Sequence, residues 1–461
     1  MEQKYIIALE IGSSKLRGAV GQLDSSGTLS VKAVEEEQLI DSVRYGCIQN
    51  VAEVSNRIQA IISRLESRIP GHRVTGVYVG VGGKSTMATR AEFERQLPLE
   101  REITKEMVEQ INEEAYGTIY NERDVISVTP REYRIDRSVV ARPVGTYGRS
   151  IQATLNLITC RSQIKRNLNQ VLSEKLHLNV NGYIVRQLAQ ADLVLSSDEK
   201  RLGCMLVDFG AETTTVSIYK NGALQYLATL PLGSRNITRD ITSLNHLEER
   251  AEQLKLAGGN ADPAGTSAFT PDGIDYTEIN NYVTARAGEI IANINEQIKY
   301  AGFTGRQLPA GIIVVGNGAK LRGFNSRLEA FTKMKVRAGM PVVMIRIGDP
   351  RIHTAEAVDV ISVLYAATLD PMMRACTIAV IPKEEDSPKP ETQPDNSNDD
   401  DDDFGVDEDD DMDIDDEDDE IREKPRRPSR PGIFTRAIDK MKNRVTQILT
   451  ETDDDDNDDL D

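Results

Sequence analysis

The chain has 461 residues, more than one hydrophobic core usually organises, so two or more cores joined or nested are expected. Its net charge of −19 is unevenly held: 32 acidic and 11 basic residues lie from Lys383 onward against 42 and 44 before it, so the body is nearly neutral and lacks the basic excess of a nucleic-acid binder. Four scattered cysteines with no CxxC pair and four histidines exclude a legible zinc site or disulfide framework and fit a reduced cytoplasm, and no stretch approaches the ~20 apolar residues that span a bilayer.

The apolar run in MEQKYIIALEI is short and contains an acid, so it reads as a core strand rather than a signal peptide. It leads into ALEIGSSKLRGAV (Ala8 to Val20), which runs strand, acid, glycine, hydroxyl pair, strand. LSVKAVEEEQ is a third strand, followed by a helix from Val51 to Ile69 with Val54, Ile58, Ile61, Ile62 and Leu65 on one face, and by an alternating strand from Val74 to Gly83. From there to about Cys160 the sequence predicts a small inserted α+β unit. A charged helix near Thr104 to Glu122, capped by Thr104 with Glu106 and Glu109 in its first two turns, precedes strands at VISVTPREYRI and IQATLNLITC.

A helix, a short strand and a second helix between Arg161 and Leu195 lead into MLVDFGAETTTVSIY (Met205 to Tyr219), which repeats the plan of the first hairpin. In both, glycine lets backbone N–H groups approach an anion where a Cβ would block them, and Ser13, Ser14, Thr213 and Thr214 add hydroxyl donors. The acids before the turns, Glu10 and Asp208, are suited to hold Mg²⁺ through its waters and are the candidate catalytic carboxylates. Two such hairpins point to a duplicated fold that grips phosphates from both sides of a central cleft. Helices follow in NITRDITSLNHLEERAEQLKLAGG, then a surface loop GGNADPAGTSAFTPDG, a long amphipathic helix from Tyr276 to Ala301, and a third glycine turn in GIIVVGNGAKLRGF (Gly311 to Phe324). A helix from about Ala355 to Leu369 and the strand CTIAVIP close the body.

Residues 383–431 form an acidic linker, dense in aspartate between Asp399 and Glu420, for which like-charge repulsion and the scarcity of apolar residues predict disorder. About 50 residues of such chain span ~40 Å. At 432–450 the sequence GIFTRAIDKMKNRVTQILT, placed on a helix, gathers Ile433, Phe434, Ile438, Met441, Val445, Ile448 and Leu449 within an arc of roughly 160°. Lys440, Lys442 and Arg444 flank that arc, the division expected of a helix lying in an anionic membrane surface. An acidic tail, 451–461, follows.

In this order ALEIGSSKLRGAV, the insertion with VTPREYRID and PVGTYG, MLVDFGAETTTVSIY, LPLGSRNITRDI and IIVVGNGAKLRGF resemble the actin-like ATPase superfamily and, within it, the FtsA family of bacterial cell-division proteins. The resemblance covers about Tyr5 to Pro382, and the tethered helix extends it. It implies an α/β, two-lobed actin-like (ribonuclease H-like) fold. Subdomain 1A would occupy about 1–80, 160–200 and 355–382, an inserted α+β subdomain 1C about 81–159, 2A about 201–235 and 305–354, and 2B about 236–304.

It further implies a protein that binds ATP with Mg²⁺, self-associates into filaments and tethers FtsZ to the cytoplasmic face of the inner membrane at the division septum. Later division proteins would meet the insertion. Gly12, Ser13, Ser14 and Lys15 match the first phosphate loop, and Asp208, Gly210, Thr213 and Thr214 the second. Gly316, Asn317 and Gly318 match the adenosine turn, Glu252 and Lys255 the pair bracketing ribose and base, and Asn236 the helix below the nucleotide. Arg286 matches a basic position that grips the FtsZ C-terminal peptide.

Glu10, Ala211, Glu212, Thr215 and Arg235 depart from the family pattern, and a carboxylate at Glu212 repels phosphate at close range unless it points away or meets Mg²⁺. Weak or absent hydrolysis is therefore expected. A PilM-like pilus assembly platform and a small-molecule kinase of the same fold are the alternatives.

Overall fold

A computed structural model of the chain describes residues 4–262 and 274–380. The linker, the segment 432–450 and part of the predicted surface loop lie outside the described residues.

Two sheets follow one plan. In the first, the strands run Asn179–Val185, Gly76–Val81, Ile6–Ile11, Lys15–Leu23, Leu29–Gln38, Ile345–Ile347 across the sheet. In the second they run Ile312–Val315 beside Cys204–Phe209, then Thr214–Lys220 and Ala223–Leu230, with Val336–Ala338 on the other side of Ile312–Val315. Each sheet is thus an antiparallel three-stranded meander to which a later strand adds parallel on the first strand. Register is equivalent at the two turns: Ile11 lies opposite Leu16, and Phe209 opposite Thr214. Ile6–Leu9 and Cys204–Phe209 are buried throughout, as continuous apolar strands covered on both faces must be.

Helices supply the cover. Val51–Ser67, capped by Asn50 accepting from the Glu53 N–H at 3.0 Å, buries Val54, Ile58, Ile61, Ile62 and Leu65 against Lys15–Leu23 and Leu29–Gln38. Gly18 permits this approach, because a Cβ there would stand 2.4 Å from Ile61 Cγ2. Helix Thr354–Thr368 packs on Ile6–Ile11 and on helix Arg186–Val194. In the second half, helix Thr277–Tyr300 buries Ile279, Val283, Ile290, Ile291 and Ile294 in a separate core that includes Phe209 stacked on Phe324 at 4.4 Å.

The insertion has its own small core, with Ile103, Ile111, Ile151, Leu155 and Leu157 buried beneath helix Lys105–Tyr116 and a four-stranded sheet. Thr104 takes the N-cap position but makes no capping hydrogen bond from its side chain to the helix backbone. The insertion leans on the second half: Asn156 Nδ2 donates to the Leu224 carbonyl at 2.8 Å, Arg131 Nη1 to that of Gln225 at 3.2 Å, and Thr229 Oγ1 to that of Thr86 at 3.3 Å.

Two elements differ from the sequence expectation. The sequence pattern does not predict the sixteen-residue strand Met87–Glu102, because its apolar inward positions Ala91, Phe93 and Leu97 are outnumbered by charged and polar residues. It forms an edge of the insertion sheet, where one face is free to be polar. Residues 345–347, assigned with 305–354 to the second lobe, instead pair parallel with Leu29–Val31 in the first sheet, so the chain returns before the closing helix begins.

Candidate functional site

A cleft of about 750 Å³ is lined by turns from both halves. At the first, the Gly12 N–H donates to the Lys15 carbonyl at 2.9 Å; at the second, the Gly210 N–H donates to that of Thr213 at the same distance. A Cβ on Gly12 would lie 2.9 Å from Lys15 O, and one on Gly210 would lie 3.0 Å from Thr213 O, so a side chain at either position would force its turn to shift. The sequence repeat is therefore a structural repeat down to its hydrogen bond.

Of the residues predicted to bind nucleotide, Gly12, Ser13, Ser14, Lys15, Asp208, Gly210, Thr213, Glu252, Lys255, Asn317 and Gly318 line this cleft. Thr214, Asn236 and Gly316 stand behind its wall. Thr214 Oγ1 donates to the Leu232 carbonyl at 2.7 Å, and Asn236 Oδ1 accepts from the Gly233 N–H at 2.9 Å, fixing the start of helix Ser234–Ile241. Gly316, at φ +88° and ψ 155°, lets the third turn lie against Phe209 and Asp208.

Lys255 is buried with its Nζ 2.7 Å from Glu252 Oε2, and it donates to Thr238 Oγ1 at 2.9 Å and to the Ser234 carbonyl at 3.2 Å. Burial lowers its pKa, with Glu252 pulling the other way. Lys15 is held at 2.6 Å by Glu36. Arg286 lies outside the cleft: its guanidinium clasps Asp240 through two bonds of 2.6 and 2.9 Å and Glu289 at 2.5 Å, joining helix Thr277–Tyr300 to Ser234–Ile241.

Glu212 does not face the phosphate turns as an unpaired charge. Its Oε2 accepts from the Tyr45 N–H at 2.7 Å, and its Oε1 lies 3.0 Å from Arg239 and 3.4 Å from Arg235. Arg235 also reaches Asp41 at 3.7 Å and Glu248 at 3.3 Å, so this group latches the two halves across the cleft. Glu212→Ala is expected to cost about 1.5–3 kcal/mol, the range for a lost hydrogen bond to a charged group. Native-state hydrogen exchange checks it: the Tyr45 amide should lose its protection while the Val79 amide keeps it.

Sequence reasoning missed Arg186. It opens helix Arg186–Val194, with its Nη1 2.5 Å from Glu10 Oε1 and its Nη2 3.0 Å from Asp208 Oδ2. Gln187 Nε2 adds a bond to Asp208 at 3.3 Å, while a third buried carboxylate, Asp359, receives Gln190 Nε2 at 2.7 Å and lies 3.6 Å from Arg17. Burial pushes Glu10 up to about 7 and also raises Asp208, with Asp359 adding to both and Arg186 opposing. For Arg186 burial works against the charge, but Asp208, Glu10 and Asp359 more than offset it and hold the guanidinium more basic than usual.

The only sequence signal was a cation in the first turn of a helix, where the dipole disfavours it unless acids compensate. The two carboxylates expected to hold Mg²⁺ through its waters hold this guanidinium instead. A hydrated ion demanding near-octahedral oxygens does not fit between them as they stand.

Comparison with known proteins places this geometry. The family model for cell division protein FtsA matches residues 205–357, and that for the SHS2 domain inserted in FtsA matches residues 83–159. The cell division protein FtsA of Porphyromonas gingivalis is 29% identical over 372 residues, 78% of each chain. That of Escherichia coli is 26% identical over 370 residues, 76% of this chain and 87% of its own. Over about three quarters of its length the chain is similar to the FtsA family.

Among solved structures, the PilM-PilN type IV pilus biogenesis complex superposes with a TM-score of 0.58 at 18% identity over 79% of this chain and 99% of that one, a likeness of fold alone. The fold is the two-lobed actin-like α/β fold with the SHS2 insertion characteristic of FtsA. Among the described residues no helix is long and apolar enough to cross a membrane.

Proposed function

We propose that this FtsA-like chain binds ATP in the cleft, assembles with copies of itself, and tethers FtsZ filaments to the cytoplasmic face of the membrane at the division site through residues 432–450. The observation that carries the nucleotide reading is the pair of equivalent glycine turns, Gly12 to Lys15 and Gly210 to Thr213, facing one cleft from two sheets. Turnover is expected to be slow. A general base needs a carboxylate free to take a proton, and Glu10 and Asp208 are both engaged by Arg186. The same engagement disfavours a small-molecule kinase.

Helix Thr277–Tyr300 is the proposed seat of the FtsZ C-terminal peptide, with Arg286 exchanging Asp240 or Glu289 for a peptide carboxylate. The insertion presents Ile119, Val139, Val144 and Tyr147 to solvent, a surface suited to later division proteins.

Reconstitution tests the whole reading. Full-length protein on anionic vesicles with ATP is expected to recruit fluorescent FtsZ to the lipid. A lipid-bound, nucleotide-loaded protein that leaves FtsZ in solution would falsify it.

A further inference from the structure

Two carboxylates at the ends of paired strands, each beside a phosphate-sized glycine turn, ordinarily collect a hydrated divalent cation. Here the space between Glu10 and Asp208 is filled from a different direction, by a side chain that the strand Asn179–Val185 delivers to the start of the next helix. Arg186 is largely enclosed, with 12% of its side chain exposed, yet it contributes to the cleft wall. Gly82 lies alongside it: a Cβ there would stand 3.5 Å from its Cζ and Nη2, an ordinary packing distance.

A guanidinium offers five N–H donors in a rigid plane and stays charged at any physiological pH. Its Nη1 and Nη2 each engage one carboxylate, whereas its Nε is buried without a hydrogen-bond partner. An unpaired buried donor on a cation is costly, and an anion's oxygen is the partner that relieves it. Each of these carboxylates already has a cation in contact, and Asp359 beside them is served by Gln190 and Arg17.

We propose that the Arg186 guanidinium is the resident cation of this site, taking the position of a divalent ion between Glu10 and Asp208 and turning its remaining donors to a nucleotide phosphate, so that nucleotide binds without a divalent metal. The inference rests on the nucleotide-binding reading above. It makes the cation part of the chain: chelators cannot remove it, and its charge cannot be exchanged for that of another ion.

The test is a titration of full-length protein with mant-ATP, once in Mg²⁺ and once in EDTA. The wild-type dissociation constants are expected to agree within about threefold, a difference under 1 kcal/mol. Arg186→Ala is expected to lose about tenfold or more in EDTA and to recover with Mg²⁺, because Glu10 and Asp208 then need an external cation. Electron paramagnetic resonance with Mn²⁺ and no nucleotide gives a second readout: the variant binds the ion and the wild type does not.

A wild type that loses tenfold in EDTA and regains it with Mg²⁺ overturns the proposal while leaving nucleotide binding intact. No mant-ATP binding under either condition overturns the nucleotide reading and the inference with it. If Arg186→Ala does not fold, the wild-type comparison decides alone.

Discussion

Replacing Gly316 by alanine is expected to destabilise the protein by about 3–5 kcal/mol, the sum of a backbone penalty in a region almost restricted to glycine and of overpacking in a closed core. At φ +88° and ψ 155° an L-residue is strained before any contact is considered. The new Cβ would then stand 2.5 Å from the Phe209 carbonyl oxygen and 2.6 Å from Asp208 Oδ1. Neither can recede easily, since Asp208 pairs with Val315 in the parallel ladder that joins the two strands.

Any relief must therefore displace Asp208 from Arg186, so nucleotide binding should fail together with stability. Urea denaturation measures the first effect and mant-ATP titration the second. Gly27→Ala is the control: its φ of +76° is positive but nothing lies within 4 Å of the new Cβ, so only the backbone cost of about 1 kcal/mol should appear. Equal midpoints for the two variants would show that the Gly316 contact is loose.

Deleting residues 432–450 is expected to abolish association with anionic vesicles. Placed on a helix, Ile433, Phe434, Ile438, Met441, Val445, Ile448 and Leu449 would make one apolar arc, and the chain before Lys383 has almost no net charge with which to reach lipid by itself. Neutralising Lys440, Lys442 and Arg444 to glutamine removes about 1 kcal/mol of surface attraction per residue, on the order of a hundredfold in partitioning for the three. That loss should appear on anionic vesicles and vanish on zwitterionic ones. Co-sedimentation of the deletion variant at wild-type levels would sink the proposed anchor.

The hairpins were legible in the sequence because glycine spacing and β-branched runs are local signals, and Gly12 and Gly210 occupy turns that leave little room for a Cβ. The insertion was legible as a change of texture, though its longest strand, Met87–Glu102, was hidden by outward charge. What stayed out of reach was pairing between distant residues. Nothing near Arg186 announces Glu10, 176 positions away, and nothing near Glu212 announces the Tyr45 amide, 167 away. Glu212 was read as a threat to phosphate because its neighbours in sequence are a phosphate turn; its neighbours in space are Arg235 and Arg239. Charge in a sequence has sign but no direction, and at this site direction decides which groups neutralise one another.

The seam between the insertion and the strand Ala223–Leu230 has a consequence for how copies of this chain can meet. That strand is the margin of its sheet, a row of backbone groups open to pairing with any foreign strand. Asn156 and Arg131 occupy its Leu224 and Gln225 carbonyls, while the opposite margin, Val336–Ala338, and one margin of the first sheet, Ile345–Ile347, are only three residues long. Unscripted strand addition is thereby discouraged at three margins. A chain proposed to polymerise is left to do so through side-chain surfaces, which dissociate and can be regulated, rather than by zipping backbones into an aggregate that cannot be taken apart.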